Sequence, residues 1–185
     1  VSFPRNAADP SMVVPTRYTL SRDTNSLFAE LASVERSGFG FTAGLRADNH
    51  DSETRETSHS LGLHYSLPNS RARIRASWGE AFKMPSFFAL ADPLVGNPLL
   101  RAEFVRSSEL GIESASANER FDWQVTVFRQ RFEDLIDFDF DTFRTVNRSR
   151  VSTDGIEAGG KYQPVGGILI SAHATYTDIK VAGAP

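Results

Sequence analysis

The chain has 185 residues and a mass of 20.4 kDa, enough for one domain with a sizeable core or for a piece of a larger assembly. A net charge of -3, a pI near 5.8 and scattered Lys and Arg residues lack the basic footprint of a nucleic-acid binder, so no nucleic acid is expected as a partner. The absence of cysteine removes disulfide frameworks and thiolate metal sites, and no apolar run approaches the roughly 18 residues of a membrane helix.

That last exclusion does not extend to a membrane barrel, whose strands expose apolar residues only at alternate positions; a mean hydropathy of -0.30 is compatible with one. The opening VSFPRNAADP has neither the basic start nor the apolar core of a signal peptide, so the chain is expected to be either unexported or a mature or truncated form.

Period two dominates the chain from its first third onward. LFAELAS near Leu27 is a weak strand match, and GFGFTAGLRAD sets Phe39, Phe41, Ala43 and Leu45 against Gly40, Thr42, Gly44 and Arg46. HSLGLHYSL sets Leu61, Leu63, Tyr65 and Leu67 against Ser60, Gly62, His64 and Ser66. RARIRASWGE gives the clearest alternation, with Ala72, Ile74, Ala76 and Trp78 on one face and Arg71, Arg73, Arg75 and Ser77 on the other. After a long apolar stretch, Ala81 to Ala102, come SSELGIE near Leu110 and FDWQVTVF, with Phe121, Trp123, Val125 and Val127 on one face. Thr142 to Tyr162 reads as one long strand, and GILISAHATYT places Ile168, Ile170, Ala172, Ala174 and Tyr176 opposite Ser171, His173 and Thr175. The sum is about eight strands.

The connections alternate in length. Glu35 to Ser37, Pro68 to Ser70, Ser116 to Glu119 and Gln163 to Gly166 are tight, whereas Asp48 to Glu56, Ala81 to Ala102 and Leu135 to Asp141 are long. Short turns at one end and long, variable loops at the other fit an antiparallel up-and-down outer-membrane barrel better than a soluble sandwich.

Alternation alone leaves the inside undefined. A soluble ligand-binding barrel would turn the apolar face inward. In a bilayer, a lipid-facing arginine near midplane costs about 2 to 4 kcal/mol, which turns Arg73 and Arg75 towards the lumen and Ile74 and Trp78 towards lipid. The polar face also carries Arg71, His64 and His173, and that charge suits a wide, wet lumen better than the filled interior of an eight-stranded barrel. Lumen-facing Arg71, Arg73, Arg75, His64 and His173 and lipid-facing Ile74, Trp78, Trp123, Val125, Ile168 and Ile170 follow as expectations.

The order WGEAFKMPSFFAL, GNPLLRAE, SSELGIE, FRQRFEDLIDFD and TVNRSRVSTDGIEAGGKY closely resembles the C-terminal half of the barrel of TonB-dependent outer-membrane receptors. The family's wording falls on Gly79, Phe82, Lys83, Pro85 and Ser86; on Gly96, Asn97, Pro98, Leu100 and Glu103; on Glu109, Leu110, Gly111 and Glu113; and on Gly155 and Glu157. Ala102 departs from it, standing where proline is usual. The segment Asp134-Leu135-Ile136-Asp137 looks most like the family's cobalamin receptors. The match runs from about Arg71 to Lys180; before Arg71 only the strand pattern agrees.

The resemblance implies a transmembrane all-β barrel, present here as a fragment spanning residues 1–185 without the plug domain, the TonB-contacting motif or the terminal strand. It further implies a Gram-negative outer membrane and its lipid, TonB-dependent uptake of a ferric siderophore, haem or cobalamin, and TonB contact through the N-terminal part of the family's proteins. A complete small barrel serving adhesion or structure is the alternative, with a soluble barrel third.

Within the long loop, Phe87, Phe88 and Leu90 either touch an apolar ligand surface or pack on neighbouring loops and the rim. Asp137, Asp139 and Asp141 put three carboxylates on one side of an extended segment, but the EF-hand glycine is missing and no metal or other cofactor is expected. Arg129 and Arg131 follow the apolar run of their strand, so they either reach the rim and pair with lipid phosphates or stay solvated. His50, His59, His64 and His173 have no metal-ligand spacing and no hydrolase or phosphate-loop motif is present, so no enzyme is expected.

Overall fold

A computed structural model describes residues 18–50, 54–115, 120–148, 150–164 and 166–182. Every long segment that alternates polar and apolar residues is a strand. These are β1 (Thr24–Ala32), β2 (Phe39–His50), β3 (Thr54–Ser66), β4 (Ala72–Lys83), β5 (Glu103–Ala115) and β6 (Phe121–Glu133), then a short hairpin β7 (Leu135–Asp139) and β8 (Arg144–Arg148), then β9 (Arg150–Tyr162) and β10 (Ile170–Ala182). One short helix, α1 (Phe87–Ala91), lies between β4 and β5.

The principal sheet has eight strands in the order β1-β2-β3-β4-β5-β6-β9-β10, all neighbours antiparallel, and it is not closed on itself. The hairpin β7–β8 forms a separate two-stranded sheet.

The register carries the alternation across the sheet. His64, Arg75, Gly111, Thr126, Glu157 and Thr175 are successive cross-strand partners on one face. One residue along, Tyr65, Ile74, Ile112, Val125, Ala158 and Ala174 are partners on the other. A slip of one position on any strand would move arginines into the apolar row, so register is strongly specified.

The apolar face has no cover. Among the described residues the buried hydrophobics are Ala89 and Ala102, both in the long β4–β5 connection, while Leu110, Val127, Ile156 and Tyr176 lie exposed along the sheet. This is an unburied apolar surface far beyond what a soluble sheet leaves to water.

Four expectations are corrected. Asp48–Glu56 is not a long loop: Asp48 pairs with Glu56 and His50 with Thr54, because the alternation of β2 and β3 carries both strands outward, and the tip at 51–53 lies outside the described residues. Leu135–Asp141 is not mainly loop but β7 and its turn, and Thr142–Tyr162 is not one strand. Its first part turns back as β8 on β7, with Asp134 and Phe143 at positive φ (56° and 55°) setting the entry and the turn, and only β9 joins the large sheet. Ile168 is not in a strand; Gly167, at φ 86°, turns the chain and β10 begins at Ile170. The expected turn at Ser116–Glu119 lies outside the described residues, as does VSFPRNAADP.

The β1–β2, β3–β4 and β9–β10 connections, all short, lie at one end of the sheet, and the short β2–β3 tip lies at the opposite end. At that opposite end also stand the long β4–β5 connection and the β7–β8 hairpin between β6 and β9.

Candidate functional site: the loop cluster and the polar wall

The β4–β5 connection folds around its own polar side chains. Ser86 caps α1, its hydroxyl accepting from Ala89 N at 3.1 Å, and Asp92 Oδ1 accepts from Leu94 N and Val95 N at 2.9 and 3.0 Å. Gly96 passes so close to Asp92 that a Cβ would stand 2.5 Å from its carbonyl oxygen, which admits only glycine. Asn97 then returns to the helix, its N–H donating to Ala89 O at 2.8 Å. Gly96-Asn97-Pro98 thus builds the loop. Ala102, at the position of the missing proline, is buried at 6% exposure.

This loop is clamped to the β7–β8 hairpin. Thr145 Oγ1 donates towards Ala89 O and Val95 O at 2.8 and 3.0 Å, Thr145 N donates to Val95 O at 2.8 Å, and Asn97 Nδ2 donates to Thr145 O at 2.9 Å. Asn147 accepts from Arg101 N at 2.7 Å and donates through Nδ2 to Arg101 O at 3.0 Å and Asp134 O at 2.7 Å. Glu103 accepts from Ile136 N at 2.8 Å and pairs with Lys83 at 2.9 Å. Two segments far apart in sequence become one cap.

Phe87, Phe88 and Leu90 lie on or beside the surface of this cap. The Arg22 guanidinium sits 5.2 Å over the Phe87 ring and donates to Pro85 O at 3.0 Å, so Phe87 is packed under an arginine. Phe88 is 49% exposed, whereas Leu90 is half-buried. Beside them on the hairpin, Phe138 meets Phe140 and Phe143 edge-on, with centroids 5.0 and 5.2 Å apart. Phe140 and Phe143 remain exposed. Sequence spacing did not reveal this trio, because Phe143 joins it only through the left-handed turn.

The acidic run is internally engaged. Asp139 accepts from Thr142 Oγ1 at 2.8 Å and Asp141 N at 3.1 Å and pairs with Arg148 at 2.9 Å. The Thr142 hydroxyl first, then the Asp141 N–H and Arg148, hold its carboxyl below the usual carboxylate range. Asp137 accepts from Phe138 N. Among the described residues no group of three His, Asp or Glu side chains is arranged to hold a metal ion.

The polar face of the sheet is a low, charged wall. Arg75 reaches Thr126 Oγ1 at 3.3 Å and Glu113 at 4.0 Å, while Glu35 lies 3.4 Å from His64 Nε2 and 3.5 Å from Arg73. Both wall histidines lie flat over cross-strand glycines: a Cβ on Gly40 would stand 2.4 Å from the His64 ring, and one on Gly159 2.7 Å from the His173 ring. A hollow of about 500 Å³ over this face is lined by Arg71, Arg73, Glu113, Gln124, Lys161 and His173. Ile74, Trp78, Val125, Trp123 and Ile170 occupy the opposite face by register, with Ile170 in line with Tyr162 and Phe121.

An antiparallel meander with one charged face, one uncovered apolar face and long loops at a single end is the wall of a transmembrane β-barrel. The chain belongs to the TonB dependent receptor-like, beta-barrel family, which residues 2–185 match. It is 30% identical over 123 residues to the "Vitamin B12 transporter BtuB" of Vibrio vulnificus, a match covering 66% of this chain and 20% of the transporter. In structure it is similar to the siderophore receptor PirA of Pseudomonas aeruginosa, with a TM-score of 0.77, 25% identity, and coverage of 85% of this chain and 32% of PirA. It is also similar to the ferric enterobactin receptor PfeA of the same organism, with a TM-score of 0.73, 25% identity, and coverage of 84% and 26%. The matched part is therefore about a fifth to a third of the length of these relatives.

Proposed function

We propose that the chain is part of the barrel of an outer-membrane receptor that takes up a scarce, bulky nutrient, such as a ferric siderophore, haem or cobalamin, in a TonB-dependent way. The observation that carries this reading is the strict alternation of Arg73 and Arg75 with Ile74 and Trp78 in a sheet whose apolar face has no protein cover, in a chain of this family. Membrane lipid covers that face, because an arginine turned to lipid near midplane costs about 2 to 4 kcal/mol. Arg71, Arg73, Arg75, His64 and His173 then border the lumen, while Ile74, Trp78, Trp123, Val125 and Ile170 meet lipid, with Ile168 at the short-turn rim.

The cap of the β4–β5 loop and β7–β8 hairpin faces outward from the cell and receives the ligand. Phe88, Phe140 and Phe143 are its accessible aromatic surface, and Phe87 and Leu90 support it. The relatives named for vitamin B12 and for siderophores support the class of ligand, a large metal complex. TonB and the outer membrane are the partners of such a receptor. No chemistry on the ligand is assigned to this chain.

Two measurements on the full-length receptor test the reading. Nitroxides at Ile74 and Ala76 in a reconstituted bilayer are expected to be relaxed by oxygen, and those at Arg73 and Arg75 by a water-soluble quencher; the inverse pattern overturns the membrane barrel. The purified receptor is then titrated with cyanocobalamin, haemin and a ferric catecholate. Saturable binding of one is expected, with uptake lost in cells lacking TonB. Uptake independent of TonB refutes the assignment.

A further inference from the structure

Near the long-loop end, the polar face of β1–β3 is built differently from the rest of the wall. Register places Phe28, Arg46 and Ser58 in one cross-strand row and Ser26, Asp48 and Glu56 in the next row outward, on the face that carries His64 and Arg75. Arg46 stands four residues from the end of β2 at His50, which is roughly 13 Å along the strand.

Asp48 is 1% exposed, and its carboxylate is taken up by one arginine. Oδ2 accepts from Arg46 Nε and Oδ1 from Arg46 Nη2, both at 2.8 Å. The Ser26 hydroxyl donates to Oδ1 and accepts from Nη2 at 3.2 Å. These bonds occupy three of the five N–H groups of the guanidinium and fix its plane. The two that remain are on Nη1, and they have no partner among the described residues. The Arg46 side chain is 54% exposed; with one edge on the buried Asp48, it turns the Nη1 edge to the open face.

Phe28, directly opposite Arg46, is 74% exposed on this polar face. Elsewhere the wall lays its rings on cross-strand glycines, as His64 lies over Gly40 and Phe128 over Gly155. Phe28 has an arginine opposite it instead of a glycine, and its ring stays open. Neither the bare ring nor the undonated N–H pair stabilises the sheet, whereas a buried carboxylate that holds an exposed side chain in one orientation is how a binding group is preorganised.

We infer that Phe28 and Arg46 contact the transported ligand on the lumen wall near its outer end. The ring meets an apolar surface and Nη1 donates to an uncharged carbonyl oxygen, such as that of a carboxamide, with Asp48 and Ser26 as positioning residues. Charge selects the uncharged acceptor. Arg46 and Asp48 cancel, and Glu30 and Glu56, on the same face within one row of the pair, leave the surroundings acidic, so a carboxylate or a catecholate meets net repulsion. A guanidinium already held in place loses little freedom when it binds, so its bonds contribute more fully. The inference rests on the uptake reading proposed above.

The test titrates the full-length receptor in detergent with cyanocobalamin, which bears carboxamides, with haemin, which bears carboxylates, and with an anionic ferric catecholate. The thermal midpoint of each variant is recorded without ligand. Cyanocobalamin is expected to bind saturably and the most tightly of the three. Phe28→Ala should weaken it about tenfold, and so should Arg46→Lys, which keeps a cation on Asp48 but has no second nitrogen for the ligand. Asp48→Asn, which lets the guanidinium swing, should weaken cyanocobalamin and strengthen haemin, because a negative charge has gone from beside the arginine. A role in the fold alone would lower the midpoint and move both probes in the same direction.

Unchanged cyanocobalamin binding in Phe28→Ala and Arg46→Lys overturns the inference. So does tighter wild-type binding of haemin or the catecholate than of cyanocobalamin. Weaker binding confined to variants whose midpoint has fallen would mean that Arg46 and Asp48 serve the sheet and not a ligand. Failure of the wild type to bind any of the three would overturn the uptake reading itself, and this contact with it.

Discussion

Replacing Asn147 with leucine should loosen the cap of the β4–β5 loop and β7–β8 hairpin without touching the barrel. The side chain makes three hydrogen bonds, to Arg101 N, Arg101 O and Asp134 O, and so ties the end of the β4–β5 loop to the start of the hairpin. The two bonds to Arg101 are exposed, so water replaces them and each contributes about 0.5 kcal/mol net, while the part-buried bond to Asp134 O contributes about 1 kcal/mol. The sum, about 2 kcal/mol, corresponds to an increase of roughly thirtyfold in local opening. Thr145 and Asn97 still bridge the two segments, so the cap loosens without detaching. Hydrogen exchange read by mass spectrometry on peptides covering 84–102 and 134–148 should show this change in protection, while the eight-stranded sheet, to which β8 does not belong, exchanges and heat-denatures as before. Asn147→Asp, which keeps only the acceptor for Arg101 N, should fall between. Protection altered by less than about threefold, or a barrel that unfolds at lower temperature, would refute the clamp.

Two further predictions concern the same cap. Phe87→Ala, which removes the ring beneath Arg22, should speed protease cleavage between Ala81 and Ala102, whereas Phe88→Ala should leave cleavage unchanged and weaken ligand binding by about tenfold or less; the opposite assignment would reverse the roles of the two rings. Asp139 has its carboxyl held below the ordinary range, so its contribution to hairpin order is present above the unfolded value near 4 and is lost as pH falls through the lower folded value. A nitroxide at Asp141 should keep its line shape from neutral pH to about pH 4 and broaden its motion below that. Asp139→Asn should be loose at every pH, and an unaltered pH profile in that variant would count against the role of Asp139.

The sequence by itself determined the strands and their two faces. In RARIRASWGE, arginine at every second position cannot share a surface with Ile74 and Trp78, so the period of two, the strand state and the segregation of charge follow from the order of residues alone. Gly96-Asn97-Pro98 is turn chemistry by residue type alone, whereas the approach of Gly96 to Asp92 that admits only glycine is a matter of the folded loop. The family, too, was legible, because its motifs are local strings in a fixed order.

Tertiary structure decided what depends on contacts between distant segments. Thr142 to Tyr162 reads as one long strand, and nothing in its order of residues tells the part that pairs with β7 from the part that pairs with β6; Phe143 in a left-handed turn makes the division. The clamp of Thr145 and Asn147 on residues more than forty positions earlier has no periodic signature, because one side chain reaching a backbone carbonyl leaves no pattern in its neighbours. Arg106 opposite Arg131 has none either. Each arginine belongs to its own strand's alternation, and only the register between β5 and β6 turns two ordinary surface charges into a facing pair.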